Sequence, residues 1–266
     1  MLRVLEMLCE AGSPDKPNED FIFCSDNCIA VLDGATDLNG SDYGANEFVR
    51  DFTERFERLI KHMPPPQAVT AAVGELYRFK FGDMPVPNDI ALYSSAVAAF
   101  AVETETSLQV LTLGDCVALV YTDDGIKKVK NNSLDRLDRA VIKRLKSLHE
   151  STGADVIDLM KTAEIKDMLI ANRLKMNTAN GYKSISFNLK QLTERNVRVF
   201  DKTRVQQVVL YSDGFKSMGR QIRQGMPARE LYAKLRQEEN NDKKLNKTPR
   251  FKISDDASIV RFTIES

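Results

Sequence analysis

Short apolar runs alternate along the chain with amphipathic stretches, a pattern typical of strands mixed with helices. Residues 28–32 and 208–211 are continuous apolar runs of strand length, which predicts strands that are buried on both faces. Residues 1–10 fit either a strand or a short helix. Further strands are expected at residues 21–23, 92–102, 108–113, 117–121, 126–129, 182–187, 197–200, 206–211 and 257–264.

Helical spacing appears in four other parts of the chain. Apolar residues recur every three or four positions from 48 to 60, and Pro64-Pro65-Pro66 ends that run. The same spacing predicts helices at about 67–79 and 227–238, the latter with a proline at its first turn. Residues 133–175 predict two more helices with densely charged faces. Such faces are typical of solvated helices, and a flap or partner surface over a functional site is the alternative.

Tight turns join several of the predicted strands. Thr122-Asp123-Asp124-Gly125 is a strong hairpin signal, and residues 25–27 form a second turn of polar residues. Adjacent strands joined in this way form an antiparallel meander. No internal repeat and no linker divides the chain, so we expect one domain over residues 1–266, with a helical insertion or flap at about 130–180.

Composition narrows the classes of function. Lys plus Arg number 38 and Asp plus Glu number 38, so the total charge does not suggest a nucleic-acid partner, although a local basic patch stays open. No apolar run approaches the roughly 18 residues of a membrane span, and the first ten residues do not resemble a signal peptide. The four cysteines form no Cys-x-x-Cys pair, which favours reduced thiols and a cytoplasmic location.

Acidic residues stand where several predicted strands begin or end. Each one alone is more typical of a solvated turn than of a site. Their shared placement suggests that the fold brings them together, and divalent cations would then relieve their repulsion. Only two histidines occur, so carboxylates would have to bind any metal, which favours Mg²⁺, Mn²⁺ or Ca²⁺. These acids are Asp20, Asp33, Asp115, Asp213, Asp255 and Asp256.

Five motifs occur in an order that resembles a known family. They are Asn18-Glu19-Asp20, Asp33-Gly34, Gly114-Asp115, Ser212-Asp213-Gly214 and Asp255-Asp256-Ala257-Ser258. Together they are similar to the motifs of the metal-dependent serine/threonine protein phosphatases of the 2C family, in a divergent, bacterial-type form. The resemblance implies an α+β fold, a four-layer α/β/β/α sandwich of two antiparallel β-sheets packed face to face with helices outside.

The resemblance also implies roles for individual residues. Asp33 would bridge two Mn²⁺ or Mg²⁺ ions, and the Gly34 carbonyl would contact one of them. Asp213 and Asp255 would hold the other ion, so Asp33, Asp213 and Asp255 would form the catalytic set. Asp256 is the alternative to Asp255, which the resemblance favours. A metal-bridging hydroxide would attack phosphorus directly, with no phosphoenzyme. Asp20, and with it Glu19, would act through bound water, and Asp115 would help to hold a third, weaker ion.

Three departures from the family pattern bear on activity. Ala35-Thr36 follow the first Asp-Gly where a histidine credited as an acid often follows, and Cys116 replaces a serine. The phosphate-binding arginine ahead of the Asn-Glu-Asp motif is absent, so Lys16, the nearest cation, is the predicted substrate-binding residue.

Two functions fit these residues. The first is a Mn²⁺- or Mg²⁺-dependent phosphomonoesterase acting on phosphoserine and phosphothreonine, or on a small phosphorylated molecule. The alternative is a catalytically weak or inactive phosphatase-like module that binds or regulates a partner. The sequence does not determine an oligomeric state.

Overall fold

Ten strands form two five-stranded sheets in a computed structural model that describes residues 1–265. Sheet one has the order β1 (Leu2–Glu10), β10 (Ala257–Ile264), β9 (Val205–Tyr211), β6 (Val117–Thr122) and β7 (Gly125–Lys130). Sheet two has the order β2 (Asp20–Cys24), β3 (Cys28–Ala35), β4 (Ser95–Glu103), β5 (Ser107–Leu113) and β8 (Val197–Asp201). Every neighbouring pair is antiparallel.

Seven α-helices accompany the sheets, and none of those within residues 1–265 is both long and apolar enough to cross a bilayer. They are α1 (Ala45–Ile60), α2 (Pro65–Phe81), α3 (Ser133–Thr152), α4 (Val156–Leu159), α5 (Ala163–Arg173), α6 (Gly219–Arg223) and α7 (Ala228–Asn240). The helix of residues 67–79 begins two residues earlier than predicted. Proline suits the first helical turn because its missing N–H has no partner there.

The apolar pattern of β3 accounts for the layers. Ile29 and Val31 face the other sheet, whereas Ala30 and Leu32 face α1 and α2. On the far side of sheet one, Leu231 of α7 packs in a separate apolar cluster, together with residues of that sheet and of the turns after β9. A strand with apolar residues on each face needs a packed layer on each side. The structure confirms the predicted four-layer α+β sandwich.

Three segments were ambiguous or misassigned from the sequence. Residues 1–10 form β1, an edge strand paired with β10. The strand predicted at 182–187 is wrong, since only Ile185 forms an isolated bridge, with Ala96. The Asn177 side chain donates to the Ser184 carbonyl and accepts from the Ser184 N–H, so side-chain bonds replace a strand partner here. The predicted strand at 92–102 begins only at Ser95, after a 3-10 helix over Ile90–Leu92.

The region predicted to be a helical insertion contains α3, α4 and α5, three helices instead of the two expected. They share a small apolar cluster that includes Val141, Leu145 and Ile165, and Leu245 completes it from the polar segment after α7. The cluster is separate from the three that join the sheets and their flanking helices. These helices therefore have a local core of their own beside the sandwich.

Candidate active site

Asp20 and Asp33 face each other across the β2–β3 pair, where their Cα atoms are register partners. Asp20 is buried, and its Oδ2 accepts a 2.7 Å hydrogen bond from the Ser212 hydroxyl. Ser212 lies at the end of β9. Its N–H donates to the Ser258 carbonyl at 2.9 Å, and its hydroxyl accepts a hydrogen bond from the Ser258 N–H at 3.0 Å. Ser212 therefore links the acidic end of sheet two to sheet one.

Three of the predicted carboxylates converge at this end of the two sheets. One oxygen each from Asp33, Asp115 and Asp213 lies within 4.8 Å of the others. Asp115 stands in the turn by which the chain passes from β5 in sheet two to β6 in sheet one. Asp213 begins the 3-10 turn that follows β9. The sandwich brings together acids that are up to 180 residues apart in the sequence.

The two aspartates of the last motif, Asp255 and Asp256, lie in different environments. The Asp255 Oδ1 accepts a 2.6 Å hydrogen bond from the Lys252 ammonium and lies beside the cluster. The Asp256 carboxylate accepts the backbone N–H groups of Gly12 and Glu19, both at 2.7 Å. Asp256 therefore stabilises the loop that precedes β2. Asp255 is the acid of this motif that borders the cluster.

Burial and mutual repulsion disfavour the charged forms of these acids. Burial raises the pKa of Asp20 to about 8, with the hydrogen bond from Ser212 opposing the shift. Burial also raises the pKa of Asp33 well above its ordinary value, and the charges of Asp20 and Asp213 add to this effect. Burial raises the pKa of Asp213 and of Asp255 to about 6. A donor set of oxygens alone, with charge to be neutralised, fits a hard divalent cation.

Two lysines that the motifs did not reveal flank the acids. Lys252 contacts Asp255, while Lys216 lies 3.6 Å from Asp115 and also hydrogen-bonds Asp135 at the start of α3. Burial lowers the pKa of Lys216, but the bond to Asp135 and the charge of Asp115 outweigh it and raise the pKa. The three-residue spacing of Lys252 and Asp255 was a local signal for their contact. Lys216 instead contacts acids that are distant in sequence, so no local spacing indicated its position.

The acids open into a cleft with a volume of about 1110 Å³. Lys16 is exposed at its margin, and Gly34 lies in its wall. A Cβ on Gly34 would come within 2.6 Å of the Glu19 carbonyl, so this position requires glycine for the close approach of two backbones. Thr36 hydrogen-bonds the Glu19 carboxylate across the same opening. Within residues 1–265, neither histidine lines the cleft.

Arg173, at the end of α5, joins the helical region to this cleft. Its Nη2 donates to the carbonyls of Ala35, Thr36 and Tyr93 at 3.0 to 3.3 Å, and its Nε donates to the Ala91 carbonyl at 3.3 Å. Burial lowers the pKa of Arg173. Through these bonds, Arg173 anchors the end of α5 to the backbone that follows Gly34. Nothing in the local sequence indicated this long-range contact.

The fold and site define a two-sheet sandwich with clustered carboxylates at one end of its sheets, and comparison with known proteins gives its family. The family model described as Protein phosphatase 2C matches residues 13–248, and the chain belongs to this family. The matched range ends before Asp255. No curated protein sequence matches the chain.

Solved structures with the same fold are distant in sequence. Staphylococcus aureus serine/threonine phosphatase Stp1 is 13% identical, with a TM-score of 0.54 over 100% of this chain and 96% of that one. The catalytic domain of the phosphatase PstP, in complex with two manganese ions, is 12% identical, with a TM-score of 0.57 over 100% of both chains. The phosphatase MsPP from Mycobacterium smegmatis, in complex with cacodylate, is 12% identical, with a TM-score of 0.53 over 99% of this chain and 100% of that one. At these identities the likeness concerns the fold.

Proposed function

We propose that this protein is a Mn²⁺- or Mg²⁺-dependent phosphomonoesterase that removes phosphate from phosphoserine and phosphothreonine in cytoplasmic proteins. The observation that carries the proposal is the convergence of Asp33, Asp115 and Asp213 within 4.8 Å at the floor of an open cleft. Family membership supports the reaction class, and the two manganese ions of PstP support the choice and number of ions.

Asp33, Asp213 and Asp255 would hold two ions, with the Gly34 carbonyl as a further oxygen donor, and Asp115 would serve the third, weaker ion or share the first two. When bound, the ions would neutralise the carboxylates, bind the phosphoryl oxygens and lower the pKa of water near phosphorus. Asp20 lies behind this set, where its bond to Ser212 fixes its orientation.

The remaining groups of the cleft would bind and orient the substrate. Lys16 extends from the exposed loop at the margin and would contact the phosphate as a point charge. The Asp256 carboxylate holds that loop through Gly12 and Glu19, so the position of Lys16 depends on this clamp. The region α3–α5 would act as a flap, with Arg173 fixing it to the backbone beside Gly34.

The test is hydrolysis of p-nitrophenyl phosphate and of a phosphothreonine peptide at slightly alkaline pH with Mn²⁺, Mg²⁺ or EDTA. Asp33→Asn and Asp213→Asn should each lower kcat at least about a thousandfold while the fold is retained. The matched control is Asp83→Asn, since Asp83 is exposed after α2 and outside the cleft. Metal-dependent turnover by Asp33→Asn at the unmodified rate would contradict the proposal.

A second function, a phosphatase-like binding module with little or no turnover, is favoured by one observation. Lys216 and Lys252 already neutralise Asp115 and Asp255, and Arg173 is engaged by carbonyls. Calorimetric titration with Mn²⁺ alongside the hydrolysis assay separates the two functions. Binding of Mn²⁺ without hydrolysis of either substrate would favour the binding module.

A further inference from the structure

Two adjoining cavities lie where the outer strands of the two sheets, β7 and β8, approach each other. Their volumes are about 970 and 440 Å³, and both are lined by Val129 and Arg198. Asp138 lines the larger cavity and also the cleft that holds the acidic cluster. We call the two cavities together the basic groove. Asp138 therefore lies on the border between the basic groove and the cleft.

The basic groove is lined by nine lysines and arginines but only four aspartates, in a chain whose formal net charge is zero. Lys130 and Lys216 both form ion pairs with Asp135, and Lys216 also lies near Asp115, while Arg204 is paired with Asp124. The remaining arginines are exposed, and none forms an ion pair within the described part of the chain. These four unpaired residues are Arg136, Arg139, Arg195 and Arg198.

A further lysine borders the basic groove. Lys128, in β7, lines the smaller cavity. Burial lowers the pKa of Lys128, and the positive charges of Lys130 and Arg223 lower it further. Cations that repel one another at a surface favour the approach of an anion, which would relieve the repulsion.

The shape of the basic groove suits an extended chain. β7 and β8 each stand last in their sheet, so one side of each strand has no strand partner. Open sheet edges offer backbone N–H and C=O groups to an extended peptide. The unpaired arginines would then contact carboxylate side chains of that peptide.

We propose that the basic groove binds an acidic, extended segment of the phosphoprotein substrate, next to the phosphorylated residue that enters the cleft. This proposal rests on the proposed phosphatase function and deepens it, because it assigns the substrate class: phosphoserine or phosphothreonine flanked by Asp- and Glu-rich sequence. The guanidinium groups would supply selectivity among phosphoproteins without taking part in the reaction.

The first measurement is direct binding and needs no activity. A fluorescein-labelled, unphosphorylated Asp/Glu-rich peptide is titrated with the full chain, and its anisotropy is followed at increasing salt concentrations. We expect affinity that falls with salt and drops about tenfold in Arg195→Gln/Arg198→Gln. Arg136→Gln/Arg139→Gln, on α3 instead of β8, should weaken binding similarly, which guards against misfolding of one variant. Arg50→Gln/Arg78→Gln removes the same charge from exposed positions of α1 and α2 and should leave binding unchanged.

The second measurement compares two phosphothreonine peptides, one with acidic flanks and one with Ser/Gly flanks. In either groove variant, kcat/KM should fall about tenfold for the acidic peptide alone, while p-nitrophenyl phosphate hydrolysis is unchanged. Equal peptide binding by both groove variants and the unmodified chain would overturn the proposal. Tighter binding of a single-stranded RNA oligomer, lost in the same variants, would also overturn it. Inactivity toward every phosphate substrate, with groove-dependent peptide binding intact, would instead reject the phosphatase function and retain the groove.

Discussion

The Lys252 ammonium lies 2.6 Å from the Asp255 Oδ1, so a cation of the chain itself occupies one side of the acidic cluster. Asp255, Asp33 and Asp213 together raise the pKa of Lys252, although its burial opposes this. A divalent ion at Asp255 would have to share or displace that charge. Lys252 is therefore placed to tune how tightly the cluster binds metal.

We predict that Lys252→Met increases Mn²⁺ affinity by at least about threefold, because the competing positive charge is removed. The metal-free variant should also be less stable, since Asp255 loses its partner beside other acids. Calorimetric titration and thermal unfolding with and without Mn²⁺ measure both effects. Lys161→Met is the matched control, because Lys161 forms an exposed ion pair with Asp158 at the same three-residue spacing. Equal Mn²⁺ affinity in both variants would contradict the prediction.

The raised pKa values predict how stability depends on pH. Asp20 has a pKa of about 8, and Asp213 and Asp255 have values of about 6, whereas an unfolded aspartate titrates near 3.8. The folded chain therefore binds more protons than the unfolded chain between about pH 4 and 8, and its stability falls as pH rises through this range. In EDTA, Tm should be higher at pH 6 than at pH 8.

Divalent metal should reverse this dependence. Metal binds the ionised carboxylates and competes with their protons, so the rise in Tm caused by saturating Mn²⁺ should be larger at pH 8 than at pH 6. Scanning calorimetry at the two pH values, with EDTA and with Mn²⁺, provides the four Tm values needed. A Tm in EDTA that rises from pH 6 to pH 8 would contradict the protonation of this cluster.

Gly114 is predicted to be essential for placing Asp115. It has a φ of +68°, and an added Cβ would overlap the Cγ1 atom of Val97 in β4. Gly114→Ala should lower the free energy of unfolding by about 3 kcal/mol through strain and overpacking. Gly153, after α3, has a similar φ of +71° with nothing near its missing Cβ, so Gly153→Ala should cost only about 1 kcal/mol. Urea unfolding measures both, and equal losses would show that Val97 does not constrain this turn.

Much of the sandwich could be predicted from the chain because its signals are local. The apolar runs of β3 and β9 and the hairpin turn at Gly125 identify strands and their antiparallel order. Asp33 and Asp213 could be nominated as site residues because each stands at the end of such a run. Asp115 could be nominated in the same way, although its place in the tightest group of three came only from the structure.

The parts that the sequence did not predict depend on contacts between distant segments. Nothing in the motif around Ser212 indicates a special role, yet its hydroxyl donates a hydrogen bond to Asp20, 192 residues away. The segment 182–187 has strand composition, but Asn177 and Ser184 satisfy its backbone locally. Arg195 and Arg198 are far in sequence from Arg136 and Arg139, so no window of sequence reveals the basic groove. Charge and hydrogen bonding across layers become visible only once the sheets are packed.

Arg173 is predicted to hold the α3–α5 region against the cleft. Its guanidinium donates to four backbone carbonyls, two of them in residues 35 and 36 directly after Gly34. Arg173→Lys keeps the charge but offers one ammonium in place of a planar group of five N–H donors, so most of these bonds should be lost. We expect hydrogen exchange at residues 34–36 and in α5 to accelerate at least about tenfold.

Arg173→Lys should affect catalysis through the position of the backbone beside Gly34, because the substitution keeps the positive charge. In Arg173→Lys, kcat should fall several-fold while Mn²⁺ affinity stays near that of the unmodified chain, because Arg173 contacts backbone and none of the clustered carboxylates. Arg144→Lys is the matched control, since Arg144 joins α3 to α5 through an exposed ion pair with Glu164 and does not reach the cleft. Hydrogen-exchange mass spectrometry of the two variants decides the matter: unchanged exchange at residues 34–36 in Arg173→Lys would show that the helical region is held to the cleft by other contacts.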